Sequence, residues 1–430
     1  MTQLPATSLA LAFVALTVPQ LHGQETRLER DTGPIEISDA DWPWWRGPYR
    51  NGIADANQSP PMEWSEEKNI RWKAPVPGRG HSSPIVVGNR VYLTTADAKA
   101  DVQSVLCFDH ETGKVVWKTD VHKGGISKKG NKRASQASSS VACDGRRLFV
   151  NFLNKGAIVT TALDLSGNHL WQQQIAKYTV HQGFASSPAV HGLHVIVTAD
   201  NKGGTGVVTC LNRLNGQIVW KRDRPKTPNY PSPIILKIGG RDQLLMTGCN
   251  LVSSFDPESG DTLWEIKGAT TECVTSTVTD GTHIYTSGGY PKNHVAAVKA
   301  DGSGKVVWEN KTRVYVPSMI VKNGYLYAVA DAGIAYCWKS ETGEEMWKKR
   351  LGGTFNASPV IVGDCVFATN EDGTTFIYKA TPDSYESLGE NSLGEGIFAT
   401  PTYCHDHIFM RAAKRNGEGR QEVLYCIGKK

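Results

Sequence analysis

A glycine four residues ahead of a tryptophan recurs six times along this chain, and that pattern constrains the fold more tightly than composition does. The pairs are Gly113–Trp117, Gly167–Trp171, Gly216–Trp220, Gly260–Trp264, Gly304–Trp308 and Gly343–Trp347. Their tryptophans follow one another at intervals of 54, 49, 44, 44 and 39 residues, the period of a stacked supersecondary unit. Asp109, Asp164, Asn215 or Asp256 opens the turn, offering oxygens to the turn's own N–H groups. The glycine supplies the positive φ of a tight hairpin. The strand that follows carries the tryptophan, whose large buried area locks one repeat to the next.

A second marker precedes each copy: a hydroxyl residue, usually followed by proline, then a short strand, a turn and an alternating strand. It stands at Ser83-Pro84, Ser140-Val141, Ser187-Pro188, Ser232-Pro233, Ser276-Thr277, Pro317-Ser318, Ser358-Pro359 and Thr400-Pro401. A third strand follows in each, such as Val105–Phe108 or Leu424–Ile427. With the tryptophan strand this makes eight four-stranded units, and the fold class predicted is all-β, an eight-bladed β-propeller. Only three strands follow the last marker. The segment Asn69–Lys73, carrying a seventh repeat tryptophan, Trp72, is predicted to complete that blade and remove an exposed edge. Blade seven has no tryptophan, so its fourth strand, at Leu388–Asn391, is expected to be the least regular.

The domain reading is a signal peptide over 1–23, a tryptophan-rich strap over 24–68 and the propeller over 69–430. Ser8–Val18 is an apolar run too short for a stable membrane anchor. No later stretch is apolar enough to span a bilayer, and no cysteine precedes Cys107 to take a lipid. A periplasmic or secreted protein without a lipid anchor is expected, and a monomer. The strap holds Trp42, Trp44, Trp45 and Trp64, too many aromatics for a free tail. Packing across one face of the ring and a ligand clamp are both open for it. The net charge of +5 is dispersed except at Lys123–Arg133 and Lys221–Lys226. No aromatic-interleaved basic stripe accompanies them, so nucleic acid is not an expected partner. The nine cysteines show neither metal-ligand spacing nor an adjacent pair. Cys107, Cys210, Cys337 and Cys426 share one apolar repeat slot, as small buried hydrophobes do.

Any site should lie where the innermost strands begin, just ahead of the hydroxyl markers. These residues are Arg79 and His81 for blade one, Arg133 and Gln136 for blade two, and His181 and Gln182 for blade three. Tyr230, Glu272, Tyr315 and Asn356 follow for blades four to seven. The collar reads either as a plug that hydrates the channel or as a site for an anionic or sugar-like ligand. His81 with His181 is also open as a metal pair, though two histidines alone specify little.

The Asp-x-x-Thr-Gly-x-x-x-Trp units resemble the repeats of pyrroloquinoline-quinone (PQQ) dehydrogenases and of BamB-type outer-membrane assembly proteins, over almost the whole chain from Trp72 to Ile427. The opening Trp42-Pro-x-Trp-Arg-Gly-Pro-x-Arg-Asn-Gly is similar to the start of a BamB-like group common in planctomycete-type bacteria. The dehydrogenase resemblance implies PQQ over the channel, a Ca²⁺ held by oxygen ligands and an Asp base. The adjacent-cysteine pair of the alcohol-oxidising type is missing here, as is any c-type haem attachment sequence. The acidic pairs Asp97 with Asp101 and Glu371 with Asp372 are read as solvated turn residues rather than Ca²⁺ ligands. The leading expectation is an exported scaffold that presents its repeat loops to a protein or polymer partner, with no catalytic residues, and the BamB resemblance implies a role near outer-membrane protein assembly. The alternative is a PQQ-dependent or other small-molecule oxidoreductase at the channel entrance.

Overall fold

The computed structural model describes residues 1–2, 33, 35, 37–416 and 419–429. Apart from residues 1 and 2, the predicted signal peptide lies outside the described residues, as does most of 24–36. Among the described residues there is no helix; the strands form eight four-stranded antiparallel sheets. Blade one is Ile85–Val87, Arg90–Asp97, Val102–Asp109 and Val115–Lys123, each strand paired with the next in sequence. Blades two to seven repeat that order. Blade eight takes Thr402–Cys404, His407–Asn416 and Gly419–Ile427 from the C-terminal end and Ile70–Val76 from the other. The predicted closure through Trp72 is what the structure has, with Trp72 opposite Cys426 and Ala74 opposite Leu424.

The tryptophans explain both the glycines and the cysteine slot. Across the third and fourth strands, Trp72, Trp117, Trp171, Trp220 and Trp347 face Cys426, Cys107, Ala162, Cys210 and Cys337. A small side chain opposite leaves room for the indole. All nine cysteines are free thiols, eight of them buried, and burial pushes the Cys107 and Cys337 thiols up to about 12. The indoles of Trp72, Trp117, Trp171, Trp220 and Trp308 each lie against the turn glycine of the following blade. A Cβ on Gly113 would sit 2.4 Å from Trp72, on Gly216 2.5 Å from Trp171, and on Gly260 2.5 Å from Trp220. The indole N–H donates to a carbonyl of the same turn, from Trp72 to His110 (2.8 Å), Trp171 to Arg213 (3.0 Å) and Trp308 to Ser340 (2.7 Å). The glycine therefore serves twice, for its φ of +75° at Gly216 and for its missing side chain. Gly216→Ala is expected to destabilise by about 2–4 kcal/mol, combining backbone strain with overpacking. Thermal unfolding beside an exposed-turn control, Gly240→Ala, checks this: Gly240 has a similar φ with open space around it.

Blade seven departs from expectation. Its fourth strand, Ser387–Ser392, is six residues long and has a bulge beside the repeat position, as the other blades do. The sizes are exchanged instead: Ile377 faces Gly389, where other blades put a small residue against tryptophan. The strap supplies the missing indole. Trp64, 3% exposed, joins the core of blades seven and eight, and its N–H of the main chain donates to Asn391 Oδ1 (2.8 Å).

The markers have a structural reason too. The backbone N–H of Ser83 donates to the Ser140 hydroxyl of the next blade, Ser140 to Ser187, and Ser187 to Ser232, each at 2.9 Å. The same link joins Ser276 to Ser318, Ser318 to Ser358 and Ser358 to Thr400. Six such links join the innermost strands in two runs, blades one to four and blades five to eight.

Candidate functional site: the collar and its axial well

The strap closes one end of the axis. Trp42 pairs by backbone with Val86 of blade one, the Cys143 N–H of blade two donates to the Pro43 carbonyl, and Ala54 pairs with Ile361 of blade seven. Arg50 donates to the Val190 carbonyl and lies 4.0 Å from the Trp44 ring. Arg46, 2% exposed, donates to the Met319 carbonyl (2.6 Å), and burial pushes its guanidinium down to about 9. Trp45 reaches the axis, its indole N–H on the Ser276 hydroxyl (2.8 Å). Trp42, Trp44 and Trp64 are buried packing groups, whereas Trp45 lines the floor of the axial well.

Above Trp45 the marker hydroxyls surround a well of about 170 Å³. The residue two before each marker forms the next ring: His81, Ser138, Ala185, Tyr230, Val274, Val316, Asn356 and Phe398. From there the well widens into a mouth of about 540 Å³ walled by loops of all eight blades. Of the ten predicted collar residues, His81, Arg133, His181, Gln182, Tyr230, Glu272, Tyr315 and Asn356 line this mouth. Two do not. Arg79 turns aside to hold the loop carbonyls of Lys132 and Arg133. Gln136 offers only its carbonyl, to Gln103 (2.8 Å).

The mouth is electrically two-sided. On the side of blades eight to two, His81 stacks on Phe398, centroids 4.3 Å apart and 7° from parallel. Arg133 covers the same ring at 5.4 Å and reaches over to Glu371 of blade seven. Arg79, Arg411 and Arg420 stand nearby; burial and then these guanidiniums hold the His81 imidazole well below its usual range, hence neutral. On the opposite side, His181 Nδ1 is 3.0 Å from the Tyr230 hydroxyl and 3.6 Å from Glu272. Burial pushes the Glu272 carboxyl up, and burial with Glu272 pushes Tyr315 up to about 12.

Sequence reasoning missed Phe398, Tyr290, Asn131 and Glu371. Phe398 was within reach, since the offset that picks His81, Tyr230 and Asn356 picks it in blade eight. Glu371 corrects the expectation of a solvated turn carboxylate: it accepts from both Arg133 and Asn356. Its turn lies far from the marker, and only the closed ring brings Arg133 to it.

This collar does not fit a quinone held by Ca²⁺. Among the described residues no three His, Cys, Asp or Glu side chains converge to hold a metal, whereas Ca²⁺ takes about 6–8 oxygen ligands. Glu371 is already ion-paired with Arg133. His81 stacks on Phe398 and His181 reaches Tyr230 and Glu272, on opposite sides of the mouth.

The family model described as "Outer membrane protein assembly factor BamB" matches residues 62–177, 101–290 and 291–381. The outer membrane protein assembly factor BamB of Moranella endobia is 22% identical over 336 residues, 73% of this chain and 79% of its own. Among solved structures, BamB from Moraxella catarrhalis superposes with a TM-score of 0.57 at 13% identity, covering 83% of this chain and 99% of that one. A europium-containing methanol dehydrogenase superposes with a TM-score of 0.67 at 12% identity, covering 92% and 99%. At such identities the structural likeness speaks for the fold alone.

Proposed function

The chain belongs to the family of the outer membrane protein assembly factor BamB, and on that premise we propose that it is a cell-envelope scaffold holding a protein or polymer partner at its open collar. One observation carries the reading: the axis is sealed by the strap at one end and opens at the other into a mouth built by every blade. That mouth presents exposed aromatic and charged groups, and among the described residues no three His, Cys, Asp or Glu side chains converge on a metal. The envelope location is supported by the apolar run at Ser8–Val18 and by the family's name. No helix among the described residues is long and apolar enough to cross a membrane.

A photo-crosslinking side chain at Tyr290, half exposed on the rim of the mouth, tests this in envelope-intact cells. A discrete adduct with an envelope protein or glycan, absent when the probe stands at Lys348 on an outer strand, is the expected result. Equal labelling from both positions overturns the reading. So does saturable, dye-linked oxidation of alcohols or sugars by the purified protein given PQQ and Ca²⁺.

A further inference from the structure

We propose that the collar recognises an acidic sugar, a pyranose bearing a carboxylate, at the exposed end of an envelope glycan; this rests on the collar being the docking face. Two buried polar atoms of residues that line the well have no hydrogen-bond partner: His81 Nε2 and Ser83 Oγ, both in blade one. A neutral imidazole and a hydroxyl can each donate to or accept from a ligand hydroxyl or carboxylate, and leaving them unmatched is costly. Around them stand planar hydrogen-bonding groups with two polar edges: the Asn131–Gln182 amide pair (3.0 Å), the Asn356–Glu371 pair, and Glu272. Such groups suit the adjacent hydroxyls of a sugar ring.

Flat apolar surface lies beside them. The Tyr290 ring is 55% exposed at the rim, next to Glu272, whose N–H donates to the Tyr290 carbonyl (3.2 Å). Tyr315 and Phe398 line the wall below. A mouth of about 540 Å³ with a few placed polar groups among aromatic ones falls within the usual span for a small organic ligand, roughly 300–1,000 Å³.

The acid follows from the guanidiniums gathered on one side. Arg133 is paired with Glu371, Arg411 and Arg420 share Glu422, and Arg79 stands beside them. Arg79 bonds only backbone carbonyls, and Lys128, Lys129 and Lys132 extend the positive lip along the Arg133 loop. An acidic peptide would meet the same field, but a peptide strand needs free main-chain donors. Here the marker N–H groups are already bonded to the next blade's hydroxyls. Recognition is left to side chains, which favours the sugar.

Calorimetric titration of the full-length protein with trigalacturonate, maltotriose and hexaglutamate tests this. Trigalacturonate is expected to bind saturably, about tenfold or more tighter than either comparator. Tyr290→Ala and Arg133→Gln, both at exposed side chains, should each weaken it by about tenfold, while Lys348→Gln leaves it unchanged. No saturable binding of trigalacturonate at about 1 mM overturns the sugar, as does hexaglutamate binding equally well. Either failure leaves the crosslinking result at Tyr290 to decide the docking face by itself.

Discussion

A chain beginning at Pro77 is expected to unfold at a markedly lower temperature than one beginning at Ile35, and to aggregate. The truncation strips Ile70–Val76 from Gly419–Ile427 and leaves that strand as an open edge, a template for pairing with other chains. It also removes Trp72 from its place over Gly113 at the seam of blades eight and one. Trp42, Trp64, Trp72 and Val76 are each at most 9% exposed. Burying such side chains contributes about 1.5–3 kcal/mol apiece, together comparable with the 5–15 kcal/mol net stability of an ordinary domain. A chain beginning at Lys68 separates the two contributions: it keeps the closing strand and loses the strap. It should stay monomeric but melt earlier, because Trp64 leaves the blade-seven core and Trp45 leaves the axis. Size-exclusion profiles and melting curves for the three chains provide the check. A Pro77 chain as monomeric and as heat-stable as the Ile35 chain would remove the ring-closing role from Trp72.

What was readable in the sequence was local, and what was hidden lay a blade away. The glycine and tryptophan of one repeat are four residues apart, so the hairpin shows in any single copy. The contact that makes the glycine irreplaceable is with the previous blade's indole, Trp171 over Gly216, 45 residues back. The hydroxyl markers were countable to eight, yet their purpose lies in the hydroxyl of the following blade. Blade seven was expected to be irregular because a pattern was missing; the exchange of Ile377 and Gly389, with Trp64 brought in from the strap, preserves the packing by another route. The collar was legible where one offset from the marker selects its residues. Glu371, brought to Arg133 across the ring, and Tyr290, from an outer loop of blade five, follow no such offset. Function was the least legible because the repeat fixes the ring and says little about the eight loops at its mouth.

Glu422→Ala is expected to be strongly destabilising. Glu422 and Arg411 are each 2% exposed and bonded at 3.1 Å (Nε to Oε2). Arg411 also donates to the Ser82 hydroxyl (3.1 Å) and the Thr94 carbonyl (2.7 Å), so the pair pins blade eight to blade one directly behind the collar. A Cβ on Gly80 would fall 2.6 Å from that guanidinium, which shows how closely the chain is moulded to it. Burial pulls the Arg411 guanidinium down, and Glu422 is the group that most opposes the pull. Removing the carboxylate strands a buried cation, a loss of about 3–5 kcal/mol. Arg411→Met with Glu422→Leu removes both charges while keeping the volume filled, and should recover most of that loss. Denaturant unfolding of the two variants and the parent separates a stranded charge from lost packing. A loss under about 1 kcal/mol for Glu422→Ala would mean that Arg411 finds another counter-charge or solvent. The double variant also leaves Arg420, which bonds Glu422 at 3.0 Å, without its carboxylate. One positive and one negative charge are lost together, so the net charge behind the mouth is unchanged and trigalacturonate should bind the double variant about as tightly as the parent.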